Sequence, residues 1–432
     1  MNVIQPGWWL VARRVLTIAG ALIILVSLAR WGGTIRPSPL FFTGVGILSV
    51  LILVFSILVV WLYHNPKTSL RSRSRSTALR RTIATLTLIS ITAFTVGGFW
   101  DEVWHRKYGG FGDDFFWPPH LLIYTSLLIT AIFAGVGLWI TLKNQGSIRD
   151  RFQAENHIGL ISLVSTFLIA SLPSDEIWHR IYGKDITGWS LPHIIIAGGT
   201  VTVTLIASYL MRADFSDTKI WITTSRFQFH ELLSLLLIAV ATVMLLQFGV
   251  AEWDAISSVP LVLLLQEDSF WRRPEWLYPV VIISIAIFTS TFALYTHRKI
   301  GVATAVAIIV LVFRLICLTI FSPDTQRLQL GYTSHFLILP AALTLDVWYF
   351  LHRHRPHNLS VLVKGNLLAG IVFLIIGLPL IDYLLVYPRI TQTNIQPMIW
   401  ISLVMALVSG WAGANFSDWL ITLDSYTSDV AR

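Results

Sequence analysis

The chain has 432 residues, 55% of them hydrophobic and 12% charged, where a soluble globular domain carries about 25% charged residues. That composition, with a mean hydropathy of +0.70, excludes a soluble globular protein. The single cysteine excludes intramolecular disulfides, thiolate zinc clusters and Cys-x-x-Cys-His haem attachment, and the net charge of +8 is read as basic loops against an anionic leaflet rather than a nucleic-acid surface.

Apolar runs of about 20 residues, the length a helix needs to cross a bilayer, recur along the chain. They predict an all-α, polytopic bundle of about twelve transmembrane helices in a single integral-membrane domain over residues 1–432. In chain order the spans fall near 12–31, 39–62, 82–105, 119–142, 158–179, 192–211, 230–251, 276–296, 301–321, 333–351, 361–387 and 397–420. The first has no small-x-small cleavage site and reads as a retained span.

The connection NPKTSLRSRSRSTALRR after the second span carries Lys67, Arg71, Arg73, Arg75, Arg80 and Arg81. Lys and Arg near span ends hold a loop on the cytoplasmic side. That assignment puts both termini inside the plasma (inner) membrane, with about two-thirds of the 31 Lys and Arg residues on the inner face.

Between the third and fourth spans, residues 101–120 read DEVWHRKYGGFGDDFFWPPH; between the fifth and sixth, residues 175–193 read DEIWHRIYGKDITGWSLPH. These belong to duplicated two-span hairpins, 82–142 and 158–212, with both copies placed at the extracytoplasmic side. AEWDA at 251–255 reads as a degenerate third copy without a matching histidine.

Residues four apart share a helix face, so Asp101 lies one turn below His105, and Asp175 one turn below His179. Proline suits a helix's first turn, where its missing N–H is not needed. Pro119 and Pro192 therefore set His120 and His193 at the mouth of the neighbouring helix. One carboxylate and two imidazoles from adjoining helices form a recurrent ligand set for iron, and copper and zinc accept it as well. The alternative is a structural network of polar groups at the membrane boundary, with Trp104 and Trp178 as interfacial anchors.

Of the twelve histidines, five fall on the outer side, and four of those five are His105, His120, His179 and His193; the fifth is His335. Glu102, Glu176, Arg106 and Arg180 are candidates to support the ligands or to bind an anion, with solvation and snorkelling as the plainer roles. Asp113, Asp114 and Asp185 shape the turns or orient a histidine. Arg314 and Asp346 are intramembrane charges whose depths differ, which points Asp346 toward Lys364.

The order Asp, His four later, and His at the start of the next helix resembles the metal-binding motif in the membrane C subunit of copper membrane monooxygenases, the superfamily of particulate methane and ammonia monooxygenases. The resemblance covers about forty residues in two patches. It implies one site at Asp101, His105 and His120 and another at Asp175, His179 and His193, with copper as the favoured metal and iron or zinc as alternatives. That family's second set commonly begins with Asn, where this chain has Asp175. The resemblance implies a membrane oxidoreductase or a subunit of one, with a small lipid-soluble substrate and other membrane subunits as partners. Two further classes fit the residues: a transporter of a metal ion, proton or small solute, and a membrane zinc hydrolase or non-enzymatic subunit of a membrane complex. Five Met and one Cys argue against a Cu(I) permeation path, which favours soft ligands.

Overall fold

In the computed structural model, the described residues are 39–63, 77–108, 116–182, 190–212, 227–256, 276–321, 325–384 and 392–425. Within them the chain is a bundle of twelve helices without a β-strand: α1 Pro39–Tyr63, α2 Thr77–Tyr108, α3 Pro118–Leu142, α4 Ile148–Ala154, α5 Asn156–Tyr182, α6 Leu191–Leu210, α7 Phe229–Ile256, α8 Leu277–His297, α9 Val302–Phe321, α10 Thr325–Leu351, α11 Leu359–Leu384 and α12 Gln392–Ser425. Ten are long and apolar enough to cross a membrane. The eleven predicted spans from 39–62 onward match helices to within a few residues at most ends. The predicted span 12–31 lies outside the described residues.

The short helix α4 has no counterpart among the predicted spans. Its signal is Ser147, whose side chain accepts from the Asp150 N–H while the Asp150 carboxylate accepts from the Ser147 N–H, a capping box.

Burial sorts the helices. The most apolar stretch of α8 is 78% buried, against 17% for that of α1, so α8 is central and α1 peripheral. Water-driven burial is weak between helices in lipid, and small residues that let backbones approach take its place. A side chain on Gly413 of α12 would collide with the Phe288 carbonyl oxygen of α8. Thr296 on α8 and Ser417 on α12 share a hydrogen bond at 3.0 Å.

The repeated hairpins are antiparallel pairs packed side by side, α2 with α3 and α5 with α6. Ser90 and Ser126 hydroxyls join α2 to α3 at 2.8 Å, while Gly199 of α6 abuts Leu168 of α5. Gly137 of α3 sits against Ser162 of α5 and links the hairpins near the opposite end from the motifs. This arrangement brings both motif copies to one end of the bundle.

The other end is closed by buried polar groups. Asn156 donates to the Leu423 carbonyl at 2.6 Å, Gln153 to Leu62 at 2.8 Å, and the Tyr63 hydroxyl to Asn156 at 3.1 Å. Lys299 pairs with the fully buried Glu231 at 2.5 and 2.7 Å.

Asp346 corrects a sequence expectation. Its carboxylate does not reach Lys364 or Arg314; it accepts from the Gly301 and Thr304 backbone N–H groups, both at 2.7 Å, and from the Thr304 hydroxyl at 2.6 Å. The buried anion on α10 thus caps the N-terminus of α9, where unpaired N–H groups and the positive end of the helix dipole stabilise it. Arg314 instead lies over the Phe99 ring, 4.2 Å from its centroid.

Candidate metal centre

Asp175 and His179 occupy the last turns of α5, one turn apart on one face. His193 is the third residue of α6, with Pro192 in that helix's first turn. His179 Nε2 lies 3.6 Å and His193 Nε2 3.4 Å from the same atom, Asp175 Oδ1. The three ligand atoms fall within 4.8 Å of one another.

The chemistry of this set fits a metal ion. Two ligands bound to one ion at about 2.1 Å, with angles between octahedral and tetrahedral, stand about 3.0–3.4 Å apart. The Asp175–His193 spacing is in that range and the Asp175–His179 spacing just above it. Hydrogen bonds to a carboxylate are shorter, about 2.7–2.9 Å. Asp175 Oδ1 is buried and accepts no hydrogen bond in this arrangement. A buried carboxylate oxygen facing two imidazole nitrogens at non-bonding distance is costly unless a cation joins them. The negative end of the α5 dipole adds to the attraction for a cation there.

The first copy repeats part of this geometry. Asp101 is on the C-terminal part of α2, and His120 is the third residue of α3 behind Pro118 and Pro119. His120 Nε2 is 3.3 Å from Asp101 Oδ1, close to the 3.4 Å of the equivalent Asp175–His193 pair. The side chains of His105, Glu102 and Arg106, and the whole of Asp113, Asp114 and Asp185, lie outside the described residues, as do the side chains of 251–255. Glu176 and Arg180 turn to each other, Oε1 to Nε at 2.7 Å, and both are exposed.

The residues that hold α5 in place are less visible in sequence. Trp178 and Tyr182 pack against each other and, with Leu191 and Ile195 of α6, against Val45 and Leu48 of α1. Contact on α1 is made at Gly44, where a Cβ would stand 2.7 Å from the Tyr182 hydroxyl and 3.1 Å from Trp178. Trp178 and Tyr182 are also four apart, on a face about 60° round α5 from Asp175 and His179. Their spacing of four was a readable signal; the partner helix was not.

Fold and site together define a polytopic helical membrane protein with an Asp/His/His cluster able to hold a metal ion. Compared with protein families, curated proteins and solved structures, the chain matches none.

Proposed function

We propose that this chain is a membrane metalloprotein that holds copper or iron at the extracytoplasmic end of its bundle. It acts as an oxidoreductase of the copper-membrane-monooxygenase kind, or as a subunit of one. The observation that carries this reading is the convergence of Asp175 Oδ1, His179 Nε2 and His193 Nε2. Asp101, His105 and His120 form the second ligand set, supported by the matching Asp101–His120 spacing.

Two imidazoles and one carboxylate suit Cu(II), Fe(II) and Zn(II), and the motif resemblance favours copper among them. A metal held by three protein ligands supplies Lewis acidity and, for copper or iron, one-electron redox chemistry at open positions. The chain's own residues do the rest. Asp175 contributes the compensating negative charge, and the helical spacing fixes His179 relative to it. Trp178 and Tyr182 anchor the helix end against α1. With the basic loops inside, the site lies where lipid-soluble substrate and dioxygen both arrive.

Metal analysis of the natively purified protein tests the reading. Wild type carries about two equivalents of one transition metal, one per ligand set. Asp175→Asn with His179→Ala removes one equivalent, and Asp101→Asn with His105→Ala removes the other. Unchanged metal content in both variants would sink the proposal.

A further inference from the structure

The two ligand sets differ by one polar side chain. Four residues past His120, one turn further along α3, stands Tyr124. At the equivalent place, four past His193 on α6, the second hairpin has Ala197. Ala197 is 5% exposed and packs into the main apolar core. The first set thus has a hydroxyl-bearing neighbour where the second has a methyl group.

Two contacts tie Tyr124 to the first set. Its ring lies 6.1 Å from the His120 ring, centroid to centroid, with planes tilted by 46°. The Asp101 carboxylate acts electrostatically on the phenol, an influence that fades with distance and marks the two groups as neighbours. Helix geometry explains both contacts. Residues four apart share a face, and a helical side chain leans toward the N-terminus of its own helix. The N-terminus of α3 is the motif end, so the Tyr124 phenol is carried toward Asp101 and His120 rather than down into the bilayer. At 1.5 Å per residue, the Tyr124 backbone is about 6 Å below that of His120, a drop that a tyrosine side chain spans.

A carboxylate and imidazole nitrogens give their lone pairs to an ion and offer no donor to whatever else it binds. A phenol keeps its proton and offers one. We infer that Tyr124 equips the first set to take a small exogenous anion beside its ion, with the phenol donating a hydrogen bond to that anion. The second set, with Ala197, holds its ion without a donor from this position. The inference rests on the metal reading and divides the work between the two sets: ligand exchange belongs to the first.

The test reads anion binding and metal content separately, on the full chain in nanodiscs loaded with Cu(II). An Asp175→Asn/His179→Ala background leaves the first set, and an Asp101→Asn/His120→Ala background leaves the second. Azide is titrated into each, followed by its charge-transfer absorption with Cu(II) and by electron paramagnetic resonance. Tyr124→Phe keeps the ring and removes only the hydroxyl. In the first-set background it should weaken azide binding about tenfold or more, the loss of one hydrogen bond to a charged group, with copper content unchanged. In the second-set background the same substitution should leave azide affinity where it was. Copper retained with azide affinity unmoved by Tyr124→Phe overturns the inference and leaves the metal reading standing. Copper affinity that falls while azide affinity holds also overturns it, by making Tyr124 a support for Asp101 instead. Failure of wild type and both backgrounds to take up copper removes the metal reading, and this inference with it.

Discussion

The two hairpins repeat one sequence motif, yet they sit differently in the bundle. The second is braced by α1, which presses Val45 and Leu48 onto Trp178, Tyr182 and Ile195. On the first, the α2–α3 seam opens as a groove beneath Asp101. The Asp–His spacings at their tips are nonetheless 3.3 and 3.4 Å. Each hairpin thus places its Asp and second His by the same local means, a helix end and a proline-led helix start, while α1 steadies the helix end of the second alone among the described contacts. Among the described residues, α1 covers the second hairpin and leaves the α2–α3 seam of the first open.

The strongest way to strain that contrast is to weaken what the hairpins share. At the end opposite the motifs, Lys299 is almost fully buried beside Glu231, and Ser234 of α7 donates to the Ser208 carbonyl of α6 at 2.7 Å. Glu231→Gln leaves the Lys299 ammonium buried without its counter-charge, a change that costs about 3–5 kcal/mol. Thermal unfolding in detergent should shift down sharply. The protein that remains folded should carry the same metal at both ligand sets. Selective metal loss from one hairpin would show that the hairpins do not rest equally on this end.

A smaller change should separate the copies. Gly44→Val drives a branched side chain into the space held by Tyr182 and Trp178, and such overpacking costs about 1–3 kcal/mol. Because those two residues hold the helix that carries Asp175 and His179, metal affinity of the second set should fall about tenfold, in the range seen when groups that orient metal ligands are lost. Metal titration in the Asp101→Asn/His105→Ala background reads the second set alone, and the Asp175→Asn/His179→Ala background reads the first. Equal weakening in both backgrounds would contradict independent hairpins.

Much of this was legible before any coordinates. Membrane helices announce themselves because every backbone polar group must be satisfied inside the segment, which forces long apolar runs. The ligand triplet was legible because its spacing obeys helix geometry: four residues along α5, then a proline-marked start on α6. Tertiary partners were not. Asp346 could be placed in the membrane, but its role depends on the register between α10 and the turn before α9, which no local pattern encodes. Glu231 and Lys299 are 68 residues apart, and no local pattern pairs them. The groove at Ala93 was equally hidden. A lone alanine in an apolar run carries no signal until the repeat alignment sets it against Phe167 and the fold shows α1 on one copy only.

The least costly change is the most pointed test of the contrast between covered and open seams. Phe167→Ala removes a ring stacked on Phe55, with planes 18° apart. In water such a truncation is expensive, mainly through lost burial and a residual cavity. Between helices in lipid the exchange is apolar for apolar, so what is lost is chiefly packing. The stacked pair itself contributes about 0.5–1.5 kcal/mol, and a lipid tail entering the vacated space recovers part of that. The unfolding midpoint should therefore move only slightly. Photolabelling by a lipid that carries a diazirine in its acyl chain should now appear on α5 around Val164, which is buried in wild type. A large loss of stability with no new labelling would mean that α1 seals the second hairpin by itself. The contrast at Ala93 and Phe167 would then lie in which helix is present rather than in which side chain fills the seam.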